Sequence, residues 1–430
     1  MRSDELTDNG GTEVRGQARA ELPVRALGGR DDTPQQQVRR ANERRVFHLI
    51  RRGEALSRVS LVRATGLSAQ SIGDIIRGLL DLGLIEETGA ERQQALGRHP
   101  IGVRIRPRGA LAFGCNIERD RVDGAWIDLT GAVVVSQSVP YEPGEEPDKT
   151  IGRIEQLHAT LSGQLTSSDG PRLPVIGLAV PGPIDPRTER LVNPPNFPHW
   201  EGVDPRALFS AGWQLPVQIE NAATAAAIGE AWQSRKVLTN FLYCHWGVGI
   251  GGGLVLELET YRGTTGNALE LGHIPVVPGG ARCGCGGYGC LEAEASVAAI
   301  GRQAAQTGFG GSFEDLLSRA PHDAALAGLL ERAGQLLAQA LVGAVNLVDV
   351  DTVVLGGYHL LQAADWLIPP VRQTLADWPI AREVRPVTVL CSELGEAAGA
   401  VGAASAVLDR LLPSGSDPAG LVPGPRRGMP

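Results

Sequence analysis

From residue 45 onward apolar side chains recur at helical spacing. In ANERRVFHLIRRGE, Val46, Phe47, Leu49 and Ile50 form one stripe among arginines, which predicts an amphipathic helix ending near Gly53. Ser57 can cap a second, shorter helix, SRVSLVRATG, that stops at Gly66. Ser68 can cap a third, SAQSIGDIIRGLLDLG, in which Ile72, Ile75, Ile76, Leu79 and Leu80 keep the i, i+3, i+4, i+7, i+8 spacing and bury one face. Two short capped helices about a glycine-containing turn predict a helix-turn-helix, whose second helix enters a major groove N-terminus first. That geometry puts Ser68, Ala69, Gln70, Ser71 and Asp74 nearest the base edges and Arg77 near phosphate. After Gly83, LIEET and IGVRIRP predict two wing strands joined by a polar loop.

Beyond Arg106-Pro-Arg-Gly the pattern alternates between strand and helix. ALAFGCNI, VDGAWIDLTG and AVVVSQSV predict three strands, followed by a helix around Ile151 to Leu165 and a buried strand at VIGLAV. Strands at VQIE and NFLYCHW, a glycine-rich turn, a long helix over 324–346, a strand at TVVLGG and a last helix over 396–411 complete an α/β chain. Residues 1–36 and 412–430 lack a sustained apolar period and predict a disordered leader and tail. The domains expected are therefore 37–106 and 107–411. No residue-level internal repeat is visible.

Charge sharpens this division. The chain carries 40 Lys plus Arg against 48 Asp plus Glu, a net of −8. Residues 38–108 hold 14 Arg and 7 acidic residues, a net of +7, which leaves −15 for the remainder. A basic module on an acidic body points to a nucleic-acid contact confined to that module; a solvated arginine face is the alternative. No apolar run is long enough to span a bilayer, and MRSDELTDNG has no signal-peptide core, so a cytoplasmic protein without membrane contact is expected.

Six cysteines are present, and three share one glycine-rich stretch. In GNALELGHIPVVPGGARCGCGGYGCLE, His273, Cys283, Cys285 and Cys290 stand in His-x9-Cys-x-Cys-x4-Cys spacing. Four such ligands close a tetrahedron around zinc and leave no open position for water, so the expected metal is structural Zn2+. Core thiols or disulfides are the alternative, but a run with six glycines packs a core poorly. Cys115, Cys244 and Cys391 are scattered in apolar surroundings and are expected as buried thiols. Glu270 and Glu292 flank the metal motif, where a zinc knot would hold two carboxylates for sugar hydroxyls.

GNALELGH followed by CGCGGYGCLE resembles the zinc signature of the ROK family, which contains sugar kinases and sugar-responsive transcriptional repressors. The resemblance covers residues 38 to about 411 as an ordering of motifs. It implies a body of two RNase H-like halves, the actin-like ATPase fold, with a ligand cleft between them behind an N-terminal winged helix-turn-helix. VNPPNFPHW is similar to the family's sugar-domain loop and carries Asn196 over as a hydroxyl ligand; Asn221, Glu270, His273 and Glu292 match its other sugar-contacting positions. LGRHP is similar to a Gly-Arg turn in the repressors' wing, which makes Arg98 a minor-groove arginine, although His99 replaces the usual arginine before the proline.

The kinase motifs depart from the family pattern. The family base is the Asp of Glu-Asn-Asp-Ala, and IENAATAAAIGEAW keeps Glu220 and Asn221 but has Ala222 at that position. Glu118 and Asp120 stand where the first phosphate loop has glycine and threonine, Val248 replaces a threonine in GVGIGGG, and Tyr358 and His359 follow Gly356 and Gly357. A methyl group takes no proton, and carboxylates repel phosphate. The expectation is a catalytically inactive repressor, a homodimer or dimer of dimers on double-stranded operator DNA, controlled by a sugar or sugar phosphate. An active ROK kinase, or a regulator gated by a partner protein, are its rivals.

Overall fold

The computed structural model describes residues 33–411 apart from 54–55, 89–101, 119, 143, 189, 195–196, 213–214 and 235–237. Helices α1 (Pro34–Arg51), α2 (Arg58–Thr65) and α3 (Ala69–Asp81) precede the antiparallel strands β1 (Ile85–Thr88) and β2 (Gly102–Ile105). Thr33, Ser57 and Ser68 each accept a hydrogen bond from the third amide of the helix they open. Gly66, in the left-handed region at φ 73°, ends α2. Helix α1 starts at Pro34, inside the stretch expected to be unstructured up to residue 36. Its Thr33/Gln36 capping box and first-position proline are start signals buried in a glutamine-rich run.

The body holds two five-stranded sheets among the described residues. The first runs β5-β4-β3-β6-β7, from β3 (Leu111–Ile117), β4 (Arg121–Asp128), β5 (Val133–Pro140), β6 (Arg172–Val180) and β7 (Val217–Asn221). The second runs β10-β9-β8-β11-β12, from β8 (Phe241–Trp246), β9 (Ile250–Leu256), β10 (Glu259–Thr260), β11 (Thr352–Gly356) and β12 (Thr388–Cys391). In each, an antiparallel meander is extended by two parallel strands. The repeat absent from the residues is thus present in the topology, and the fold is the α/β actin-like one.

Helices α4 (Pro147–Gln164) and α5 (Pro205–Gly212) belong to the first half. The second carries α7 (Leu291–Ala295), α8 (Val297–Gln306), α9 (Phe313–Arg319), α10 (Ala324–Val348), α11 (Tyr358–Gln362) and α12 (Ala364–Asp377). Between the halves lies α6 (Ala222–Gln233), and the chain returns to the first sheet as α13 (Ala398–Leu411). Both are alanine-rich because they are packed close. A Cβ on Gly402 of α13 would come 2.0 Å from the Ala225 carbonyl oxygen of α6, and one on Gly253 of β9 would come 2.5 Å from the Ala227 methyl. The glycines of GVGIGGG therefore have a packing role, and Gly247-Val248-Gly249 is the three-residue turn of the β8/β9 hairpin.

Helix α1 docks on the body through one continuous core that runs from Phe47 to Trp232 and Leu408. Arg51 lies 4.5 Å over the Trp232 ring and donates to the Trp232 carbonyl. Arg44 donates to both carboxylate oxygens of buried Asp409 and pairs with Glu259 at 2.8 Å. Burial pushes the Asp409 carboxyl up, but Arg44 and the His48 hydrogen bond outweigh it and hold the group well below its usual range. Burial pushes the His48 imidazole down to about 4, so its 3.2 Å contact with Asp409 is a neutral ring donating from Nε2. Nδ1, buried without a partner, agrees with that tautomer, because a lone pair is cheaper to leave unpaired there than a cationic N–H.

Candidate functional site

Where the two halves meet, a cleft of about 120 Å3 opens at the N-terminus of α6. Strand β7 delivers Asn221, whose side-chain oxygen caps α6 by accepting from the Ala223 amide at 2.9 Å, and Ala222 follows in the cleft wall. The expected Asn221, Glu270, His273 and Glu292 all line this one space. Asn196 lies outside the described residues. The bracing role that competes with ligand contact is also met. The Asn221 oxygen is used by the cap, which leaves its NH2 for a ligand. One Glu292 oxygen accepts from the Ile250 amide at 2.9 Å, tying the metal loop to the β8/β9 turn.

His273, Cys283, Cys285 and Cys290 place their ligand atoms within 4.8 Å of one another. The His273 Nδ1 to Cys283 Sγ separation is 3.5 Å and Cys285 Sγ to Cys290 Sγ is 3.7 Å. Around a tetrahedral zinc with ordinary bond lengths, N···S and S···S edges are about 3.6 and about 3.8 Å. The cysteines are free, and a disulfide would need about 2.05 Å. The donor set fits a closed zinc site. A metal on Nδ1 fixes Nε2 as the protonated edge of a ring that also lines the cleft. Glu270, beside it, is pushed above its usual range by burial; Glu292 adds to the shift and His273 opposes it.

Three features were not anticipated. Glu118, read only as hostile to phosphate, reaches the same cleft as Ala222, with His245 on the facing strand. Asn267 exchanges two 2.8 Å hydrogen bonds with the Ile184 backbone, joining the metal loop to the loop that follows β6. In the region of the altered nucleotide motifs, Arg121 of β4 lies 4.9 Å over the Tyr358 ring of α11, so side chains from the two halves meet there. The aromatic after Gly356-Gly357 was visible in the sequence; Arg121, just past the aligned first phosphate loop, and its pairing with Tyr358 were not.

In the N-terminal module, Ser68, Ala69, Gln70, Ser71, Asp74 and Arg77 are all exposed on α3. Arg77 donates to Asp74 at 3.1 Å, so the cation expected at phosphate has an internal partner in the free protein. Arg98 lies outside the described residues. No helix among the described residues is long and apolar enough to cross a membrane.

A two-lobed α/β body with a His/Cys3 loop at its cleft, carrying three helices and a strand pair at its N-terminus, defines the class. The ROK family model matches residues 113–410, and the chain belongs to the ROK family. It is 26% identical over 377 residues to the xylose repressor of Bacillus subtilis, covering 87% of this chain and 97% of that one. It is 32% identical over 278 residues to the glucokinase of Thermotoga maritima, covering 60% and 87% of the two chains. Among solved structures, a ROK family transcriptional regulator homologous to the E. coli MLC protein superposes with a TM-score of 0.70 at 26% identity, covering 88% of this chain and 99% of that one.

Proposed function

We propose that this chain is a DNA-binding transcriptional repressor whose kinase-like body senses a sugar and does not phosphorylate it. The observation that carries the reading is Ala222 in the cleft wall of a chain that presents an exposed, Ser68-capped helix at its other end. The repressor and the transcriptional regulator above are matched along nearly their whole lengths, N-terminal region included. The module up to residue 106 binds duplex DNA, with α3 in the major groove and Arg98 in the minor groove. Asn196, Asn221, Glu270, His273 and Glu292 hold the sugar, and the zinc loop, when loaded, keeps the last three in place.

A kinase reading finds no carboxylate at position 222 and has to turn to another lining group, of which Glu118 is the one outside the metal loop. That residue belongs to the loop where phosphate would lie, and a carboxylate there opposes the charge being transferred. Arg121, Tyr358 and His359 add side chains in the nucleotide region.

Control of DNA binding follows from where α6 leads. It starts at the sugar and reaches Trp232 under α1, about 15 Å away at 1.5 Å per residue. Cleft closure that shifts α6 moves the seat of the DNA-binding module and, in a dimer, the spacing of its two recognition helices. Leu347, Trp378, Ile380 and Val384, exposed at one end of the second half, support self-association. Such coupling typically changes affinity 5- to 150-fold, roughly, and is reciprocal. Titrating operator DNA with and without glucose, xylose and N-acetylglucosamine is expected to show weakening by at least one of them, with no ATP turnover for any. ATP-dependent phosphorylation would sink the reading, and operator affinity equal across the panel would replace the sugar by a partner protein.

A further inference from the structure

The carboxylates that line the described cleft come from both halves. Among the described residues, Glu118, Glu270 and Glu292 line it, and no lysine or arginine does; the histidines are His245 and His273. Glu220, just behind, is already matched by Arg262, whose Nε lies 3.3 Å from both of its oxygens. Zinc adds no cation to the balance, since three thiolates outweigh one dication.

Glu118 is the carboxylate of this set that no metal loop holds, and it is fixed in another way. Its Oε1 accepts from the Asn116 side chain at 2.8 Å. Asn116 is 1% exposed at the end of β3, and it fits there because position 399 is glycine; a Cβ on Gly399 would come 2.3 Å from the Asn116 amide group. Glu118 is thus held half-buried in the cleft, with no further side-chain hydrogen bond among the described residues, in the space shared with Ala222, where the hydrogen-bond acceptor of an aspartate is missing.

We propose that Glu118 determines specificity: its carboxylate accepts a hydroxyl of an uncharged sugar in place of the missing aspartate and excludes the phosphorylated form of that sugar. A phosphate at the same hydroxyl meets a fixed anion, with two more carboxylates and no arginine or lysine in the described wall. Juxtaposed like charges repel, whereas a neutral hydroxyl gains a charge-assisted bond. The effector class narrows from sugar or sugar phosphate to uncharged sugar. The inference rests on the sugar-sensing reading above and can fail without it.

The test is calorimetry on the full-length, zinc-loaded protein with glucose, xylose and N-acetylglucosamine, and with glucose 6-phosphate and N-acetylglucosamine 6-phosphate. At least one neutral sugar is expected to bind about tenfold or more tighter than its phosphate. Raising the salt concentration should shrink that ratio in the wild type, because screening relieves repulsion and spares the neutral ligand. Glu118→Gln, which keeps shape and removes charge, should strengthen phosphate binding and bring the ratio within about threefold. A phosphate that binds as tightly as its parent sugar, or a ratio unmoved by both salt and Glu118→Gln, overturns the proposal and leaves sugar sensing intact. If no sugar of either kind binds, the sensing reading falls, and this inference with it.

Discussion

The two ends of α6 are built differently. At Asn221 and Ala222 the helix opens into a polar space with hydrogen-bonding groups left over: the Asn221 amide, Glu118 and Glu270. At Trp232 it closes into a seam, where an indole 3% exposed is covered by Phe47 and His48 and stacked under Arg51, while Asp409 of α13 is saturated by Arg44 and His48. A site that must change with a ligand needs unsatisfied groups. A joint that must carry that change needs dense packing, because loose packing would absorb the displacement. On the proposed function, the difference places sensing at one end and transmission at the other.

The strongest way to break this contrast is at the joint. Trp232→Ala removes the largest side chain in the seam and should cost about 3–5 kcal/mol of stability. It should also uncouple sugar binding from DNA binding while the cleft still takes its ligand. Calorimetry with sugar and operator titrations, alone and together, separates the two effects; a variant that still responds fully to sugar would move transmission away from α6. At the sensing end, Cys283→Ser should lower zinc affinity by at least about 100-fold and slacken Glu270, His273 and Glu292 together. Sugar binding then falls while operator binding persists. A zinc-free variant with unchanged sugar affinity would show that the metal loop does not organise the cleft.

The same contrast explains what could be read from the sequence. The sensing end was legible because its chemistry is local: the metal motif spans His273 to Cys290, and the Asn221-Ala222 pair sits at a strand-to-helix junction. The joint was not. Arg44 and Asp409 are 365 positions apart, and nothing in ANERRVFHLIRRGE distinguishes an arginine for DNA from one that fastens the module to the body. The +7 charge of residues 38–108 therefore overstates what faces nucleic acid, since Arg44 and Arg51 are spent inward. Helix α12 was missed because Pro369 and Pro370 lie inside it, and β9 because its glycines read as a turn when they serve packing against α6.

A smaller and subtler effect concerns Glu230, two residues before Trp232 on α6. Burial pushes its carboxyl up to about 7, with the Ser392 hydroxyl, donating at 2.8 Å, opposing and Glu393 adding to the shift. The folded protein thus holds a proton there that the unfolded chain releases near 4.5. Stability from this group is fully present below about 4.5 and is lost as pH rises through about 7, when a charge must be accommodated inside. Glu230→Gln keeps an acceptor for Ser392 and does not titrate. Its stability relative to wild type should therefore climb between pH 4.5 and 7 and level off above, because the wild-type Glu230 contribution falls with pH, opposite in sign to the His48 contribution, which grows with pH between about 4 and 6.5. Denaturant unfolding across that range checks it: a Glu230→Gln difference that does not vary with pH would mean the carboxyl is already ionised in the fold. The packing beneath α6 would then tolerate a charge, which is incompatible with a joint tight enough to carry a displacement.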